Sequence, residues 1–203
     1  VRDALIKALT ANESAFGIEL SDAARERLAD YYAILTEHNA RLHLVAPCPP
    51  EEFATRHVLE SLTLLKHLPD GAAFADIGSG GGLPAMPCLL VRDDLRARLI
   101  ESKEKKAVFL RTAASCLQLT GRIEVIANQF SETEPGETSF VTCRALDKFG
   151  ERLQRLIKWS VGRPLFFFGG EQLGGQLADL GLQTTAELMP LSERRYLFVT
   201  SPV

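Results

Sequence analysis

The sequence lacks the long apolar segments that mark membrane and secreted proteins. None of its 203 residues lies in an uninterrupted apolar run of about 18 residues, the length that a membrane-spanning helix needs. The first residues, VRDALIKALTANESAF, include acidic and polar side chains where a secretory signal peptide would be apolar. These absences predict a cytoplasmic protein that does not associate with a membrane.

Cysteine and histidine are sparse and scattered. Cys48, Cys88, Cys116 and Cys143 lie far apart without a CxxC pair, and the four histidines form no ligand spacing such as HExxH. We therefore expect reduced thiols and no metal. The net charge is −3, whereas proteins that wrap nucleic acid carry an excess of basic residues. Charge alone therefore does not identify the binding partner.

The order of the predicted elements indicates an α/β fold with two unequal parts. Residues 1–68 are expected to form an N-terminal helical cap. Within them, Leu28, Tyr31 and Leu35 recur at helical spacing. Residues 69–203 contain seven short β-rich runs, mostly separated by helices, which predicts a Rossmann-like, seven-stranded, mainly parallel sheet. No helix separates the last two runs, so we expect one strand to be antiparallel.

One short stretch is unusually rich in glycine. ADIGSGGGLP, residues 75–84, follows a short apolar run at the point where the first predicted strand passes into a helix. Ligands of doubly wound folds bind at this edge, and glycine lets the backbone approach them closely. A phosphate-binding P-loop is excluded, because GxxxxGK[ST] requires a lysine and a hydroxyl where this chain has Leu83 and Pro84.

Two cofactor classes are compatible with this loop. Gly80, Gly82 and Ala85 satisfy the GxGxxA pattern of dinucleotide-binding proteins. Asp76 precedes the first glycine by two residues, and its carboxylate would repel a pyrophosphate but attract an ammonium or sulfonium group. The pattern D-x-G-x-G-x-G, formed by Asp76, Gly78, Gly80 and Gly82, therefore favours S-adenosylmethionine.

A second acidic residue, Glu101, ends the second predicted strand about twenty residues after the loop. A carboxylate at this place can hold both hydroxyls of a ribose, in either class of cofactor. The alternative interpretations are structural: Asp76 could cap a helix, and Glu101 could be a solvated strand end.

Four stretches resemble the motifs of one family. They are RHVLESL, DIGSGGGLPAMPCLL, ESKEKKAVFL and CRAL, beginning at residues 56, 76, 101 and 143. In them, and over nearly its whole length, the chain resembles the bacterial small-subunit ribosomal RNA guanine-N7 methyltransferases, the RsmG family, also called glucose-inhibited division protein B. The resemblance implies a Rossmann-like class I methyltransferase fold, S-adenosyl-L-methionine as cofactor, and small-subunit (16S) ribosomal RNA or the small ribosomal subunit as partner. We expect a monomer.

The resemblance and the loop pattern together indicate the site residues. We expect Phe130 and Ser131 at the adenine. Arg144 and Asn39 are expected to grip the base or its phosphate, with Arg56 and His57 in support. The predicted cofactor-binding residues are Asp76, Gly78, Gly80, Gly82, Leu83, Glu101, Phe130, Ser131 and Arg144, and the predicted catalytic residues are Arg144, Asn39 and Arg56.

Some of these residues also have structural interpretations. Arg144 could pair with Asp147, and Asn39 could cap a helix. The chain departs from the family pattern in residues 38–45, HNARLHLV, and at Phe168, where the family usually has a lysine. Both departures fall where RNA is expected to bind.

Guanine N7 carries a free lone pair at neutral pH, so its methylation needs no general base. Catalysis would rest on holding N7 and the methyl carbon in line. Three alternatives stay open: methylation of another RNA base, for example through a Cys143 nucleophile, a family member that has lost catalysis, and a dinucleotide-dependent oxidoreductase. The basic residues that could guide RNA, or could simply be solvated, are Lys103, Lys105, Lys106, Arg111, Arg152, Arg155 and Lys158.

Overall fold

Short runs rich in β-branched and aromatic residues form seven strands in the computed structural model, which describes residues 1–144 and 149–202. The strands are β1 (Ala73–Ile77), β2 (Arg96–Ile100), β3 (Ile123–Ile126), β4 (Phe140–Arg144), β5 (Leu165–Gly169), β6 (Thr184–Leu188) and β7 (Tyr196–Thr200).

Helices precede the sheet and connect most of its strands. They are α1 (Arg2–Asn12), α2 (Asp22–Leu42), α3 (Pro50–Glu52), α4 (Glu60–Leu62), α5 (Ala85–Val91), α6 (Glu104–Cys116), α7 (Phe149–Ser160) and α8 (Glu171–Asp179). Shorter 3₁₀ turns span Glu13–Phe16, Thr63–His67 and Phe130–Glu132. None of the helices described is long and apolar enough to span a membrane.

The strands lie in the order β3-β2-β1-β4-β5-β7-β6. The strands from β3 to β5 in this order run parallel, and β7 runs antiparallel to both of its neighbours. The prediction of a seven-stranded, mainly parallel sheet with one antiparallel strand is confirmed. The chain order reverses between β1 and β4, so the carboxyl ends of these strands border the crevice where doubly wound folds bind ligands.

The central strand β1 is buried on both faces, as expected when helices cover both sides of a parallel sheet. Phe74 packs in one apolar cluster with the N-terminal helices, α5 and α6. Ala75 and Ile77 pack in a second cluster with α7 and α8. Each large apolar side chain that is fully buried in these clusters stabilises the fold by about 1.5–3 kcal/mol.

Helix α2 attaches the N-terminal helices to the sheet. Ser21 caps its start by accepting a hydrogen bond from a backbone N–H three residues later. Leu28 and Leu35, fully buried on one face of α2, belong to the same apolar cluster as the first face of the sheet. The division into a cap of residues 1–68 and a domain of residues 69–203 stays a prediction.

Residues 50–67 form one helical segment between α2 and β1, here called the connecting segment. Pro50 occupies its first position, where the missing N–H costs no hydrogen bond. The middle of the segment, Phe53–Leu59, is π-helical, a form often found at functional sites. Phe53 and Val58 are buried in the core, which anchors the segment at the edge of the sheet where β4 ends.

Candidate functional site

A cavity of about 310 Å³ opens at the carboxyl edge of the sheet, beside the ends of β1, β2 and β4. Its position at the reversal of chain order makes it the first candidate for a ligand site. The N-terminal part of the chain contributes Leu44, Val45, Ala46 and His57 to its walls, and the sheet part contributes Gly78, Ser79, Gly80, Gly81, Leu83, Glu101, Ser102, Lys103, Lys106, Arg144 and Arg152.

The glycine loop after β1 forms one wall of the cavity. Gly78, Gly80 and Gly82 all have positive φ angles, of 69°, 54° and 91°. A Cβ atom at Gly82 would lie 2.8 Å from Cγ of Met86, in the helix that follows. Glycine is therefore required by backbone conformation along the loop and by close packing at its last position.

Tyr31 of α2 holds the loop from behind. Its hydroxyl donates a hydrogen bond to the backbone oxygen of Gly81 at 2.8 Å, and the tyrosine is fully buried. A Cβ atom at Gly81 would lie only 3.3 Å from Leu35 and 3.4 Å from Leu44. The sequence pattern placed Tyr31 only in a series at helical spacing, and such a series does not distinguish packing from hydrogen bonding.

Asp76 lies beneath the loop and does not line the cavity. Its side chain is fully buried; Oδ1 accepts a hydrogen bond from Thr142 Oγ1 at 2.9 Å, and Oδ2 has no hydrogen-bond partner among the described residues. Burial raises the pKa of Asp76 to about 7, and the nearby Glu101 adds to this rise. The carboxyl group is thus poised to ionise when a cation approaches.

Glu101 lies on the cavity wall. Its Oε2 accepts a hydrogen bond from Gly80 N at 2.9 Å, and its Oε1 accepts one from Lys103 N at 2.8 Å. The side chain is 6% exposed, so it is a buried acceptor and not a solvated strand end. These bonds fix a carboxylate between the glycine loop and the start of α6.

Arg144 ends β4, and its guanidinium lies against the connecting segment. Its Nη1 donates to Ser61 Oγ at 3.0 Å, and its Nη2 donates to the backbone oxygen of Arg56 at 2.6 Å. Nη2 also lies 3.4 Å from His57 Nδ1, and the guanidinium carbon lies 5.5 Å from the centre of the Phe168 ring. The phenylalanine that replaces the usual lysine therefore offers Arg144 a cation–π contact.

Two residues that sequence reasoning missed complete this cluster. Glu60 is 2% exposed and lies 3.5 Å from Arg144 Nη2 through its Oε2. Its Oε1 accepts a hydrogen bond from Nε of Arg195, just before β7, at 2.6 Å. Glu60 belongs to the quoted RHVLESL motif, but no sequence signal joins it to Arg195, because 135 residues separate them.

His57 shares the cavity wall with Arg144. Burial, followed by the positive charges of Arg144, Arg56 and Arg195, lowers the pKa of His57 to about 3. The imidazole is therefore neutral at physiological pH, so that it adds hydrogen-bonding capacity to the wall without adding charge.

The structure does not bring two of the predicted catalytic side chains to the cavity. The Asn39 Oδ1 accepts from the backbone N–H groups of Leu44 and Val45, at 2.8 and 3.0 Å, and its Nδ2 donates to Val45 O at 3.0 Å. Asn39 thus folds a turn whose residues line the cavity. The Arg56 side chain is half exposed and pairs with Glu52 at 2.8 Å, while its backbone oxygen binds Arg144.

The predicted adenine residues also lie away from the cavity wall. Phe130 is buried in the second apolar cluster, edge-on to Trp159 at 6.2 Å between ring centres. Ser131 is exposed in the following turn. Cys143, the candidate nucleophile, is fully buried in the same cluster and does not line the cavity.

Three predicted basic residues reach the cavity: Lys103, Lys106 and Arg152. Lys106 Nζ donates to the backbone oxygen of His43 at 3.1 Å. Asp147, the predicted partner of Arg144, lies outside the described residues. Within 1–144 and 149–202, no cluster of three or more His, Cys, Asp or Glu side chains could hold a metal ion.

Comparison with known proteins gives one family. A family model described as rRNA small subunit methyltransferase G matches residues 24–179. The ribosomal RNA small subunit methyltransferase G of Desulfotalea psychrophila (strain LSv54 / DSM 12343) is 39% identical over 138 residues, which cover 65% of this chain and 63% of that protein. The protein of the same name from Geotalea uraniireducens (strain Rf4) is 32% identical over an alignment that covers 97% of this chain and 96% of that protein. The chain thus spans under two thirds of the first relative's length and nearly all of the second's.

The fold also matches solved structures. An RNA methyltransferase from Salinibacter ruber, in complex with S-adenosyl-L-homocysteine, superimposes with a TM-score of 0.53 at 17% identity, covering 77% of this chain and 94% of that one. The sheet has the Rossmann-like fold of class I S-adenosylmethionine-dependent methyltransferases, as the sequence predicted.

Proposed function

The chain belongs to the rRNA small subunit methyltransferase G (GidB) family, and from this premise we propose that it methylates N7 of a guanine in small-subunit (16S) ribosomal RNA. The observation that carries the proposal is that the glycine loop, Glu101, Arg144 and His57 line the same cavity. The first pair suits a nucleoside cofactor, and the second pair suits an anionic, hydrogen-bonding substrate. A cytoplasmic location and a monomeric state are part of the proposal.

The residues at the cavity fit S-adenosylmethionine, which supplies an electrophilic methyl group on a sulfonium sulfur. Glu101 is a buried carboxylate on the cavity wall that could exchange its loop bonds for ribose hydroxyls. Gly78 and Gly80 present backbone without side chains. Asp76, with one unpartnered oxygen beneath the loop, offers a negative charge to the positive groups of the cofactor.

The part of the cavity wall formed by Arg144 and His57 fits the base. Arg144 and His57 lie side by side there, and the low pKa of His57 keeps its imidazole neutral. Because N7 already carries its lone pair, these residues have no proton to remove; they orient the guanine so that N7 faces the methyl carbon. Lys106 and Arg152 at the same cavity offer positive charge to the flanking phosphates.

Methyl transfer to ribosomal RNA tests the proposal directly. Labelled S-adenosylmethionine is incubated with the protein and either naked 16S RNA or small ribosomal subunits, and the modified base is mapped. We expect label at a guanine N7, with binding of RNA that weakens steeply as salt rises. Label on another base would overturn the substrate, and tight binding of NADH without methyl transfer would overturn the activity.

Arg144→Ala tests the base-binding wall. We expect the transfer rate to fall about 10- to 100-fold, the loss that follows removal of a hydrogen bond from a charged donor. Arg27→Ala is the control, because Arg27 also bonds a backbone oxygen and a carboxylate, those of Leu90 and Asp93, but does not line the cavity. A near-normal rate in Arg144→Ala would remove Arg144 from the mechanism.

A further inference from the structure

Glu60 is a buried carboxylate shared by two guanidinium groups. Its Oε1 accepts the Nε–H of Arg195 at 2.6 Å, and its Oε2 lies 3.5 Å from Nη2 of Arg144. The Glu60 side chain is 3% exposed and that of Arg144 is 14% exposed, so water screens their interaction weakly. A buried charge that loses its partners is costly, so these three groups depend on one another.

The three residues come from three separate parts of the fold. Glu60 begins α4 in the connecting segment, Arg144 ends β4, and Arg195 stands just before β7. Glu60 therefore joins the segment that carries His57 to two neighbouring regions of the sheet. Of the three, Arg144 alone lines the cavity. Glu60 touches neither the cavity nor, by its position, a bound base.

We propose that Glu60 is a positioning residue for methyl transfer: it holds Arg144 against the cavity wall and offsets the charge of that guanidinium. The inference rests on the proposed function. When N7 bonds to the methyl carbon, the electron pair of the carbon–sulfur bond passes to sulfur, and the positive charge passes to the guanine ring. An uncompensated guanidinium beside the ring would oppose this transfer of charge, whereas a guanidinium paired with Glu60 opposes it less.

The contacts of Arg144 support a positioning role for Glu60. Without the carboxylate, Arg144 would be left with Ser61 Oγ and the Arg56 backbone oxygen as hydrogen-bond acceptors. Both of these acceptors are neutral. Glu60 is the carboxylate that lies within ion-pair distance of Arg144 in the described part of the chain, and it also pairs with Arg195. Its removal leaves two neighbouring cations that repel each other, which favours movement of Arg144 off the wall.

Glu60→Gln is the informative variant, because glutamine keeps the shape but replaces one oxygen by an NH₂ group facing a guanidinium. Glu13→Gln is the matched control: Glu13 is also buried and pairs with Arg25 at 2.6 Å, but at the opposite end of α2 from the cavity. We expect Glu60→Gln to slow single-turnover methyl transfer at least tenfold while the Kd for S-adenosylhomocysteine stays within about twofold of wild type. Glu13→Gln should keep the wild-type rate.

Three outcomes of these rate and affinity measurements would overturn the inference. They are a wild-type rate in Glu60→Gln, an equal loss of rate in Glu13→Gln, and a loss of cofactor affinity in Glu60→Gln as large as the loss of rate. If Glu60→Gln does not fold, Glu60→Asp takes its place, because it keeps the charge but withdraws it by one methylene. We expect Glu60→Asp to transfer the methyl group more slowly than wild type but less than tenfold more slowly. A wild-type rate in Glu60→Asp would refute the positioning role of Glu60.

Chemical modification gives a readout that does not depend on activity. Phenylglyoxal modifies arginines that are free to move into solvent, and peptide mass spectrometry locates the modified residue. We expect Arg144 to react several-fold faster in the Glu60 variant than in wild type, whereas unchanged reactivity would overturn the inference. A wild-type protein that methylates no ribosomal RNA would refute the proposed function, and the reactivity of Arg144 would still decide whether Glu60 holds it.

Discussion

Replacing Asp76 with asparagine should stabilise the ligand-free protein above pH 7. The Asp76 carboxyl is fully buried, and one of its oxygens has no hydrogen-bond partner in the described chain. Burial is the main cause that raises its pKa from 3.8 to about 7. Asparagine can keep the bond from Thr142 Oγ1 while removing the charge.

The sign and size of the effect follow from proton linkage. Because the folded-state pKa of Asp76 lies above the unfolded value, its contribution to stability is complete below about pH 4 and is lost as the pH rises through 7. A shift of one pKa unit corresponds to about 1.4 kcal/mol, so the rise in the pKa of Asp76 from 3.8 to about 7 corresponds to a loss of about 4 kcal/mol of stability. Asp76→Asn does not lose this stability as the pH rises, because asparagine does not ionise.

Urea unfolding at pH 4 and pH 8 measures this directly. We expect the free energy of unfolding of Asp76→Asn, relative to wild type, to increase by several kcal/mol between the two pH values. Asp94→Asn is the control: hydrogen bonds from Arg92 and Gly71 lower the pKa of Asp94, so its contribution to stability is lost only below about pH 4, and its difference from wild type should change little between pH 4 and pH 8. If the difference between Asp76→Asn and wild type is the same at both pH values, Asp76 is not a strained acid and the reasoning is refuted.

Three further substitutions test how the site is held. Tyr31→Phe should lower the free energy of unfolding by about 1–3 kcal/mol, because the buried Gly81 carbonyl loses its donor; urea unfolding unchanged from wild type would contradict this. Gly82→Ala should cost about 1–3 kcal/mol through its positive φ and the contact with Met86, whereas Gly121→Ala, with open space around it, should unfold like wild type. Asn39→Ala should accelerate amide hydrogen exchange in the turn at residues 44–45, and unchanged exchange would show that its three bonds are dispensable.

Local patterns in the sequence predicted most of the fold. Alternation of β-rich runs with helical runs indicates a parallel sheet, and the missing helix between the last two strands indicates the antiparallel one. Both predictions are confirmed. The glycine loop was predictable for the same reason: the conformations of Gly78, Gly80 and Gly82 are required by the adjoining strand and helix, which are close in sequence. The family resemblance is also confirmed.

The site was predictable only in part, because its two walls come from distant parts of the chain. Glu101 and Arg144 line the cavity, since each lies where a strand ends at the same edge of the sheet. The sequence shows that residue 39 is an asparagine but not where its side chain points. In the structure its amide bonds to the backbone of the turn that follows it. The pairing of Glu60 with Arg195 depends on where β7 enters the sheet, which no local pattern specifies.

The two walls of the cavity carry opposite demands on charge. Beneath the loop, Asp76 offers negative charge to the proposed positively charged cofactor, and burial makes that charge costly until the cofactor arrives. Arg144, which also lines the cavity, provides positive charge for the proposed RNA substrate, although the proposed methyl transfer would move positive charge onto the base. Such a site needs a negative charge that offsets the Arg144 guanidinium without occupying the side of the guanidinium that faces the cavity. A buried carboxylate behind the guanidinium, at the position of Glu60, meets that requirement because it reduces the repulsion while leaving the cavity face of Arg144 to the substrate.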